Sequence, residues 1–372
     1  MDPRRCLSGS RTVRPVFDRL AKMGLYYRTA ADKVDGPATP FNPLSVETTF
    51  MSDSVRILVP GDDPPQIAGS PQLDRLQSYG EVVIHADRPA SKQDQIQRAA
   101  GCQVVINSRG SVTWRDEELR ALPDLRMITT CSIGTDMIDL KTAAELGIVV
   151  SNQPGRTAPV VAEHMFGLLF TVAKRAAFQT AEIREQRWTR RMNLGVQGKT
   201  LGIVGTGNIG AEMARLGRAM GMDVIAWTFN PTPERASQLG VRFVDTLSEL
   251  LQQSDYVSLH VALTEDTRGL IGQQELAVMK DDAVLLNGAR GPVVDLDALA
   301  DSLQKGQLAG AGLDVFPDEP FVEAHPISDC EQVVMTPHAA DQTPEGVDLL
   351  NGGAVDNVIV FLEGRPQNNV AV

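Results

Sequence analysis

The chain has 372 residues, a length that predicts two domains. Apolar residues make up 42% and charged residues 22%, which is typical of a globular protein and excludes global disorder. With 35 basic against 47 acidic side chains the formal net charge is −12, which argues against nucleic acid as the main partner. The best candidate for a membrane span, residues 160–173, is too short and contains Glu163 and His164, so none is predicted.

The first fifty residues differ from the rest of the chain. They hold eight basic against five acidic side chains, whereas the remainder holds 27 against 42. They have no sustained hydrophobic period and end in a stretch punctuated by Pro37, Pro40 and Pro43. We expect residues 1–50 to be a disordered or dispensable leader. Met51 is then a candidate initiator, and the rival interpretation is an arginine-rich organelle transit segment.

From Val55 onward, short apolar runs alternate with helical patterns. Strands that are apolar throughout and spaced by helices indicate parallel sheets covered on both faces. A first series of strands is predicted at residues 55–59, 81–85, 102–107, 125–130 and 148–151, with helical patterns at 94–100 and 140–146. One long helical pattern follows at residues 157–186. A second series of strands is predicted at residues 201–204, 223–227, 241–244, 256–261, 283–286, 310–315 and 333–336. The fold class is therefore α/β, with two doubly wound units in series.

The cysteines predict a reducing compartment. The four of them show neither close pairing nor metal-ligand spacing: Cys6, Cys102, Cys131 and Cys330. We expect reduced thiols, no metal site, and a cytoplasmic protein.

A glycine-rich turn after the strand at 201–204 predicts a dinucleotide site. Its residues are Gly205, Thr206, Gly207, Asn208, Ile209 and Gly210, and a helical pattern follows directly. The first glycine permits a tight turn, the second lets a pyrophosphate approach the backbone, and the third allows close helix–strand packing. The start of the helix supplies unpaired N–H donors. We expect cofactor contacts from Gly205, Gly207, Asn208, Ile209 and Gly210.

The end of the next strand leaves the cofactor type open. An acid is expected there to accept from the 2′-hydroxyl of the adenosine ribose. The strand at 223–227 is followed instead by Thr228, Phe229 and Asn230, and the nearest cation, Arg235, lies too far along the chain to be assigned as a phosphate ligand. NAD and NADP therefore both stay possible, with NAD favoured.

Charged side chains follow three successive strands of the second series. Arg290 follows the strand at 283–286, Glu319 follows the strand at 310–315, and His338 follows the strand at 333–336. Because ligands of open α/β sheets bind beyond the carboxyl ends of the strands, we expect these three side chains to converge on one site. Histidine is a frequent general acid and base, which makes His338 the candidate for proton transfer. Of the other histidines, His85 and His164 are interpreted as structural and His325 as unreactive. His260 ends a strand and is expected to line the cofactor crevice through its backbone alone.

Several motifs stand together in one order along residues 55–372. They include CSIGTDMIDL, VVAEHMFGLLF, KTLGIVGTGNIG, YVSLHVALTEDTRGLIG, LLNGARGPVVD, GLDVFPDEP and TPHAA. In these motifs the sequence resembles the D-isomer-specific 2-hydroxyacid dehydrogenase family. The resemblance implies a Rossmann cofactor domain over residues 153–337. It also implies a flavodoxin-like substrate domain over 55–152 and 338–372, with a cleft between the two.

The resemblance further implies an oxidoreductase that transfers a hydride between NAD(P)H and a small 2-oxo acid or (R)-2-hydroxy acid. Arg290, Glu319 and His338 are then the catalytic set. His338 would donate a proton to the carbonyl oxygen, and a carboxylate hydrogen-bonded to its other ring nitrogen, that of Glu319, favours the protonated form. Arg290 offers a planar fork of donors to the substrate carboxylate or carbonyl.

Further contacts are implied in the same way. The loop of Ser132, Ile133 and Gly134 resembles one that binds the substrate carboxylate through backbone amides. Arg109 is either a substrate-binding side chain or a solvated loop arginine. Asp314 resembles the residue that holds the nicotinamide carboxamide, and backbone contacts to the cofactor are implied for Val261, Gly288 and Ala289. A homodimer is implied as well, formed through the long helix region.

The sequence also departs from the family pattern. Thr228 replaces the usual acid, and Asp341 puts a carboxylate close after His338 where small residues are usual, which disfavours bulky or anionic substrates. Two alternative functions share the cofactor site and the three catalytic residue types. One is a nucleotide-sensing binding protein like the transcriptional corepressors of this fold, and the other is a phosphite-oxidising enzyme.

Overall fold

Two parallel sheets organise residues 55–371, the part of the chain that the computed structural model describes. The predicted leader at 1–50, the candidate initiator Met51 and Cys6 lie outside the described residues. Within the described part, Cys102, Cys131 and Cys330 are free and buried. None of the helices described between residues 55 and 371 has the length and apolar character that a membrane crossing requires.

The first sheet is built by the chain up to residue 151. Its elements are β1 Val55–Val59, β2 Gly80–Ile84, α1 Lys92–Ala99, β3 Val104–Asn107, α2 Asp116–Arg120, β4 Met127–Thr130, α3 Leu140–Glu145 and β5 Val149–Ser151. The strand order is β2-β1-β3-β4-β5, and every described pairing is parallel. This is the flavodoxin-like order. All residues of β3 and β4 are buried, including the polar residues Asn107, Thr129 and Thr130 at their ends.

The predicted long helix at 157–186 is wrong as a single element. It consists of α4 Ala158–Ala173 and α5 Ala176–Arg184. Arg175 between them has φ 48°, a left-handed conformation that ends the first helix. Helix α4 packs Met165 and Leu169 into the core of the second sheet, whereas α5 has no buried residue.

The second sheet follows. Its elements are β6 Thr200–Val204, α6 Asn208–Ala219, β7 Asp223–Trp227, α7 Pro233–Leu239, β8 Arg242–Phe243, α8 Leu247–Gln253, β9 Tyr256–Leu259, α9 Gln273–Val278, β10 Val284–Asn287, α10 Leu296–Gln304, β11 Gly310–Leu313 and β12 Val333–Met335. The strand order is β12-β11-β10-β9-β6-β7-β8. The sheet grows in opposite directions from β6, which is the Rossmann arrangement with one added strand. The predicted fold class is confirmed.

The chain then returns to the first sheet through α11, Pro344–Leu362. This helix packs Leu350, Ala354 and Val358 in one buried cluster with Ile57 of β1 and Met127 of β4. The segment between β12 and α11 therefore runs from one sheet to the other. His338 lies in that segment, so its position depends on both sheets.

Candidate active site

Loops from the two sheets line one cavity of about 500 Å³. The loop after β4 contributes Ser132, Ile133 and Gly134, and the glycine-rich turn after β6 contributes Gly207, Asn208 and Ile209. The segments after β9, β10 and β12 contribute His260, Val261, Gly288, Ala289, Arg290 and His338. Apart from Thr157 and Val161 at the start of α4, the lining follows the carboxyl ends of parallel strands, where open α/β sheets bind ligands.

The glycine-rich turn fits a dinucleotide. Gly205 has φ 92°, and a Cβ built on it would lie 2.8 Å from the His260 carbonyl oxygen. A Cβ on Gly210 would lie 2.1 Å from the Gly205 carbonyl oxygen, so the start of α6 packs directly on the turn. Gly207 is the N-cap of α6, has no side chain to cap the helix, and faces open space. The free N–H groups of this helix end suit a pyrophosphate.

Arg235, which its distance along the chain left unassigned as a phosphate ligand, has its guanidinium at the same turn. Its Nε is 3.1 Å from Thr206 Oγ1, and its Nη2 donates to the Thr206 carbonyl oxygen. Helix α7 begins at Pro233, and its first turn brings the guanidinium back to the loop after β6. Thr228, directly after β7, is half-buried and is followed by no acid before α7.

The histidine and glutamate form the expected pair. His338 Nδ1 lies 2.7 Å from Glu319 Oε2, and Glu319 Oε1 accepts from the Phe316 N–H at 2.9 Å. Burial alone would raise the pKa of Glu319, but the hydrogen bond and charge of His338 and the Phe316 N–H outweigh it and lower that pKa. Because Nδ1 is taken by Glu319, Nε2 is the ring nitrogen left for a substrate.

Asp314 fixes the backbone around His338. Its Oδ1 accepts from the Thr336 hydroxyl at 2.6 Å, and the N–H groups of the two residues after His338 donate to Oδ1 at 2.9 Å and Oδ2 at 3.1 Å. His164 Nε2 lies 3.0 Å from the Thr336 Oγ1 and 3.3 Å from Asp314 Oδ1. Burial would raise the pKa of Asp314, yet these hydrogen bonds lower it, so the carboxylate stays ionised. His338 itself has φ 49°, a conformation held by this network.

Arg290 is oriented by an acid that the sequence reasoning missed. Its Nε lies 2.7 Å from Asp136 Oδ2, and its Nη1 donates to its neighbour's carbonyl oxygen, that of Ala289, at 2.7 Å. A Cβ on Gly134 would lie 1.7 Å from Arg290 Nη2, so only glycine lets the guanidinium approach this loop. Asp136 stands in the motif CSIGTDMIDL, but it is 154 residues from Arg290 and nothing local in the sequence pairs them.

The loop of Ser132, Ile133 and Gly134 presents donors. Its three carbonyl oxygens accept from Gln153 N–H at 3.1 Å, Asn152 Nδ2 at 2.8 Å and Ser132 Oγ at 2.9 Å, respectively. Among residues 55–371, no acceptor takes the backbone N–H groups of these three residues. Free N–H groups beside a guanidinium form a site for a carboxylate.

Arg109 is not a solvated loop arginine, so that alternative is wrong. Its side chain is 17% exposed, and its guanidinium contacts Gln66 Oε1 at 3.3 Å, Asp341 Oδ1 at 3.4 Å and the His338 carbonyl oxygen at 3.1 Å. Asp341 lines the cavity itself. Arg109 therefore ties the segment that carries His338 to the loop after β3.

The remaining predicted cofactor contacts line the same cavity. They are Val261, Gly288 and Ala289. A Cβ on Gly288 would lie 2.3 Å from Met165 Sδ of α4, so glycine at this position permits the close approach of the loop to the helix. His260 Nε2 lies 2.8 Å from Ser258 Oγ, and burial lowers the pKa of His260 to about 3, so this imidazole is neutral.

The chain is similar to proteins of known family. The family model described as D-isomer specific 2-hydroxyacid dehydrogenase, NAD binding domain, matches residues 166–340. A glyoxylate reductase from Korarchaeum cryptofilum is 37% identical over 305 residues, which is 80% of this chain and 91% of that protein.

Two solved structures are similar over most of the chain. A D-lactate dehydrogenase from Aquifex aeolicus, complexed with NAD and lactic acid, has a TM-score of 0.73 at 28% identity, covering 84% of this chain and 96% of that one. An NADPH-dependent glyoxylate/hydroxypyruvate reductase from Sinorhizobium meliloti, in complex with NADP and malonate, has a TM-score of 0.72 at 28% identity, covering 83% of this chain and 94% of that one.

Proposed function

The chain belongs to the D-isomer-specific 2-hydroxyacid dehydrogenase family, an NAD(P)-dependent group that acts on CH–OH groups, and we propose that its cleft reduces small 2-oxo acids to (R)-2-hydroxy acids. Glyoxylate and hydroxypyruvate are the first candidates, because reductases of these acids are among the similar proteins. The observation that carries the proposal is the convergence of Arg290 and the His338–Glu319 pair on one cavity beside the glycine-rich turn.

The substrate carboxylate binds to the free N–H groups of Ser132, Ile133 and Gly134, with Arg290 beside them. The guanidinium is held by Asp136 through Nε and by a backbone oxygen through Nη1, which leaves Nη2 for the substrate. A fixed guanidinium loses little conformational freedom when it binds a carboxylate or polarises a carbonyl. The contact between the substrate carboxylate and Arg290 orients the carbonyl carbon of the substrate toward the cofactor.

The proton comes from His338. Its Nε2 donates to the carbonyl oxygen of the 2-oxo acid, while Glu319 holds Nδ1 and so orients the ring. When it is bound, the reduced nicotinamide supplies the hydride. The fixed backbone around His338, held through Asp314 and Arg109, keeps the imidazole in place during the reaction.

The cofactor residues support use of NADP(H) as well as NAD(H). We assign the pyrophosphate to the turn of Gly205, Gly207 and Gly210. The absence of an acid after β7 at Thr228, together with the Arg235 guanidinium at the turn, favours a 2′-phosphate over a bare 2′-hydroxyl. Asp314 Oδ2 accepts one hydrogen bond among the described residues and so keeps a lone pair for the nicotinamide carboxamide.

We assign residues 153–337 to the cofactor domain, and residues 55–152 with 338–372 to the substrate domain. The packing of α11 on the first sheet supports this division. We also propose a homodimer in the cytoplasm. Exposed apolar side chains within and after α5, Ile183, Trp188 and Met192, support a subunit contact there, and light scattering of the purified protein tests it.

A substrate panel tests the activity. NADH and NADPH oxidation is followed with glyoxylate, hydroxypyruvate and phenylpyruvate, and NAD⁺ and NADP⁺ reduction is followed with phosphite. We expect turnover with the small 2-oxo acids and none with phosphite. Tight cofactor binding without any turnover would instead support a nucleotide sensor, and turnover with phosphite alone would support the phosphite-oxidising alternative.

One substitution tests whether the protein prefers NADPH or NADH. Arg235→Gln removes the cation from the turn, so we expect KM for NADPH to rise about tenfold while KM for NADH stays within about twofold. Equal changes in both KM values would mean that Arg235 supports the turn and does not bind the 2′-phosphate.

A further inference from the structure

The lining of the cavity, together with the groups that contact it, holds more carboxylates than cations. Four carboxylates lie there or contact its cations: Asp136, Asp314, Glu319 and Asp341. Three cations oppose them: Arg109, Arg290 and His338 in its protonated form. A substrate with one negative charge adds to an environment that is already net negative, and a second charge on the substrate meets further repulsion.

Asp341 combines an unused oxygen with the longest contact to a cation among the four carboxylates, 3.4 Å to Arg109. Asp136 Oδ1 also accepts nothing among residues 55–371, but its Oδ2 is paired tightly with the guanidinium of Arg290. Asp136 is paired with Arg290, Glu319 with His338, and both oxygens of Asp314 accept backbone N–H groups. Both side-chain contacts of Asp341, from Arg109 at 3.4 Å and from Gln342 Nε2 at 2.7 Å, fall on Oδ1. Within residues 55–371 nothing donates to Oδ2, and the residue lines the cavity three positions after His338.

Arg109 fixes this carboxylate and offsets only part of its charge, because the ion pair is long and falls on one oxygen. Its guanidinium is shared among Asp341, Gln66 and the His338 carbonyl oxygen. Gln66 is itself buried and donates to the Cys131 carbonyl oxygen, directly before the loop at 132–134. The Asp341 carboxylate is therefore held at the wall of the cavity by a guanidinium that also holds the backbone of His338.

We propose that Asp341 is the specificity-determining residue for the substituent on the substrate, selecting 2-oxo acids with a C3 hydroxyl and rejecting those with a second anionic group. Its Oδ2 accepts a hydrogen bond from the hydroxyl, and the same charge repels a carboxylate or phosphate. A hydrogen bond to a charged acceptor is worth roughly tenfold or more in discrimination against the analogue that lacks the donor. The proposal rests on the 2-oxo-acid reductase function.

Three substrates and two variants separate the charge from the hydrogen bond. Hydroxypyruvate, pyruvate and oxaloacetate differ at C3 by a hydroxyl, a hydrogen and a carboxylate. In the unaltered protein we expect kcat/KM to decrease in that order. Asp341→Asn removes the charge and keeps an acceptor, so the ratio of oxaloacetate to pyruvate should rise at least about tenfold. Asp341→Leu removes both, so the ratio of hydroxypyruvate to pyruvate should also fall about tenfold.

The control is Glu345→Gln, which makes the same charge change at an exposed position at the start of α11. It should leave all three ratios within about twofold. A uniform loss with every substrate in both Asp341 variants, with unchanged ratios, would overturn the proposal and leave Asp341 a structural partner of Arg109. Absence of reduction by the unaltered protein would refute the proposed function instead, so the two failures are distinguishable.

Discussion

Gly134 offers a substitution that separates catalysis from stability. In Gly134→Ala the added Cβ would lie 1.7 Å from Arg290 Nη2 and 3.0 Å from its Cζ. Ordinary contact begins near 3.4 Å, so the guanidinium must retreat by about 2 Å. That displacement removes its alignment with the substrate, and we expect kcat/KM to fall by about 10²–10³, or about 3–4 kcal/mol of transition-state stabilisation.

Folding stability should hardly change in the same variant. The displaced atoms are the end of a flexible side chain that is 30% exposed, and its ion pair with Asp136 is a surface one of about 0–1 kcal/mol. The backbone of Gly134 is not left-handed, so alanine also restricts the unfolded chain and offsets part of that loss. We expect the free energy of unfolding to change by less than about 1 kcal/mol.

The assay is steady-state reduction of glyoxylate, paired with urea unfolding and a cofactor titration. Gly195→Ala is the matched control, because a Cβ there meets nothing within 4 Å and the position lies outside the cavity. Cofactor affinity should match the unaltered protein in both variants. If Gly134→Ala kept kcat/KM within about threefold, Arg290 would not act on the substrate where the structure places it.

Three further substitutions test the rest of the site. His338→Asn suits the left-handed backbone at φ 49° and removes the proton donor. We expect kcat to fall at least about 10³-fold while the cofactor Kd stays unchanged. A comparable loss of kcat and of cofactor affinity would mean that the residue is structural. Glu319→Gln removes the carboxylate that pairs with His338, an interaction that lowers the Glu319 pKa. By linkage the imidazole then loses its proton at lower pH, so the pH above which reductive kcat/KM falls should move toward acid. An unchanged pH profile would contradict the pairing of the two side chains. Gly210→Ala places a Cβ 2.1 Å from the Gly205 carbonyl oxygen, so cofactor Kd from a fluorescence titration should rise at least about tenfold, and an unchanged Kd would remove the turn from the cofactor site.

The sequence was most informative about the strands. Each of the twelve strands in the described range falls at a predicted run. The central strands are apolar because both of their faces are buried, whereas the edge strands β2, β8 and β12 have no fully buried residue. The ends were less accurate: the run at 310–315 pairs only over Gly310–Leu313. The break in the long helix was missed because Arg175 adopts a left-handed conformation with no glycine or proline to indicate it.

Site residues that follow a strand end or stand in a motif could be predicted from the sequence. Contacts between segments that are distant along the chain could not. Arg290, Glu319 and His338 follow strand ends, so topology alone brings them to one edge of the sheet. The pairing of Asp136 with Arg290 and of Arg109 with Asp341 spans 154 and 232 residues, respectively. Arg235 was discounted by its distance along the chain, which the fold of α7 over the turn makes irrelevant.

The stereochemistry of the product reports on how the cleft orients the 2-oxo acid between Arg290 and His338. In the proposed binding mode the loop at 132–134 and Arg290 hold the substrate carboxylate and His338 contacts the carbonyl oxygen. The cofactor then reaches only one face of the carbonyl carbon. Hydroxypyruvate reduced by the purified protein with NADPH or NADH is analysed by chiral chromatography. We expect (R)-glycerate alone. Formation of (S)-glycerate, or of both enantiomers, would contradict the proposed binding mode.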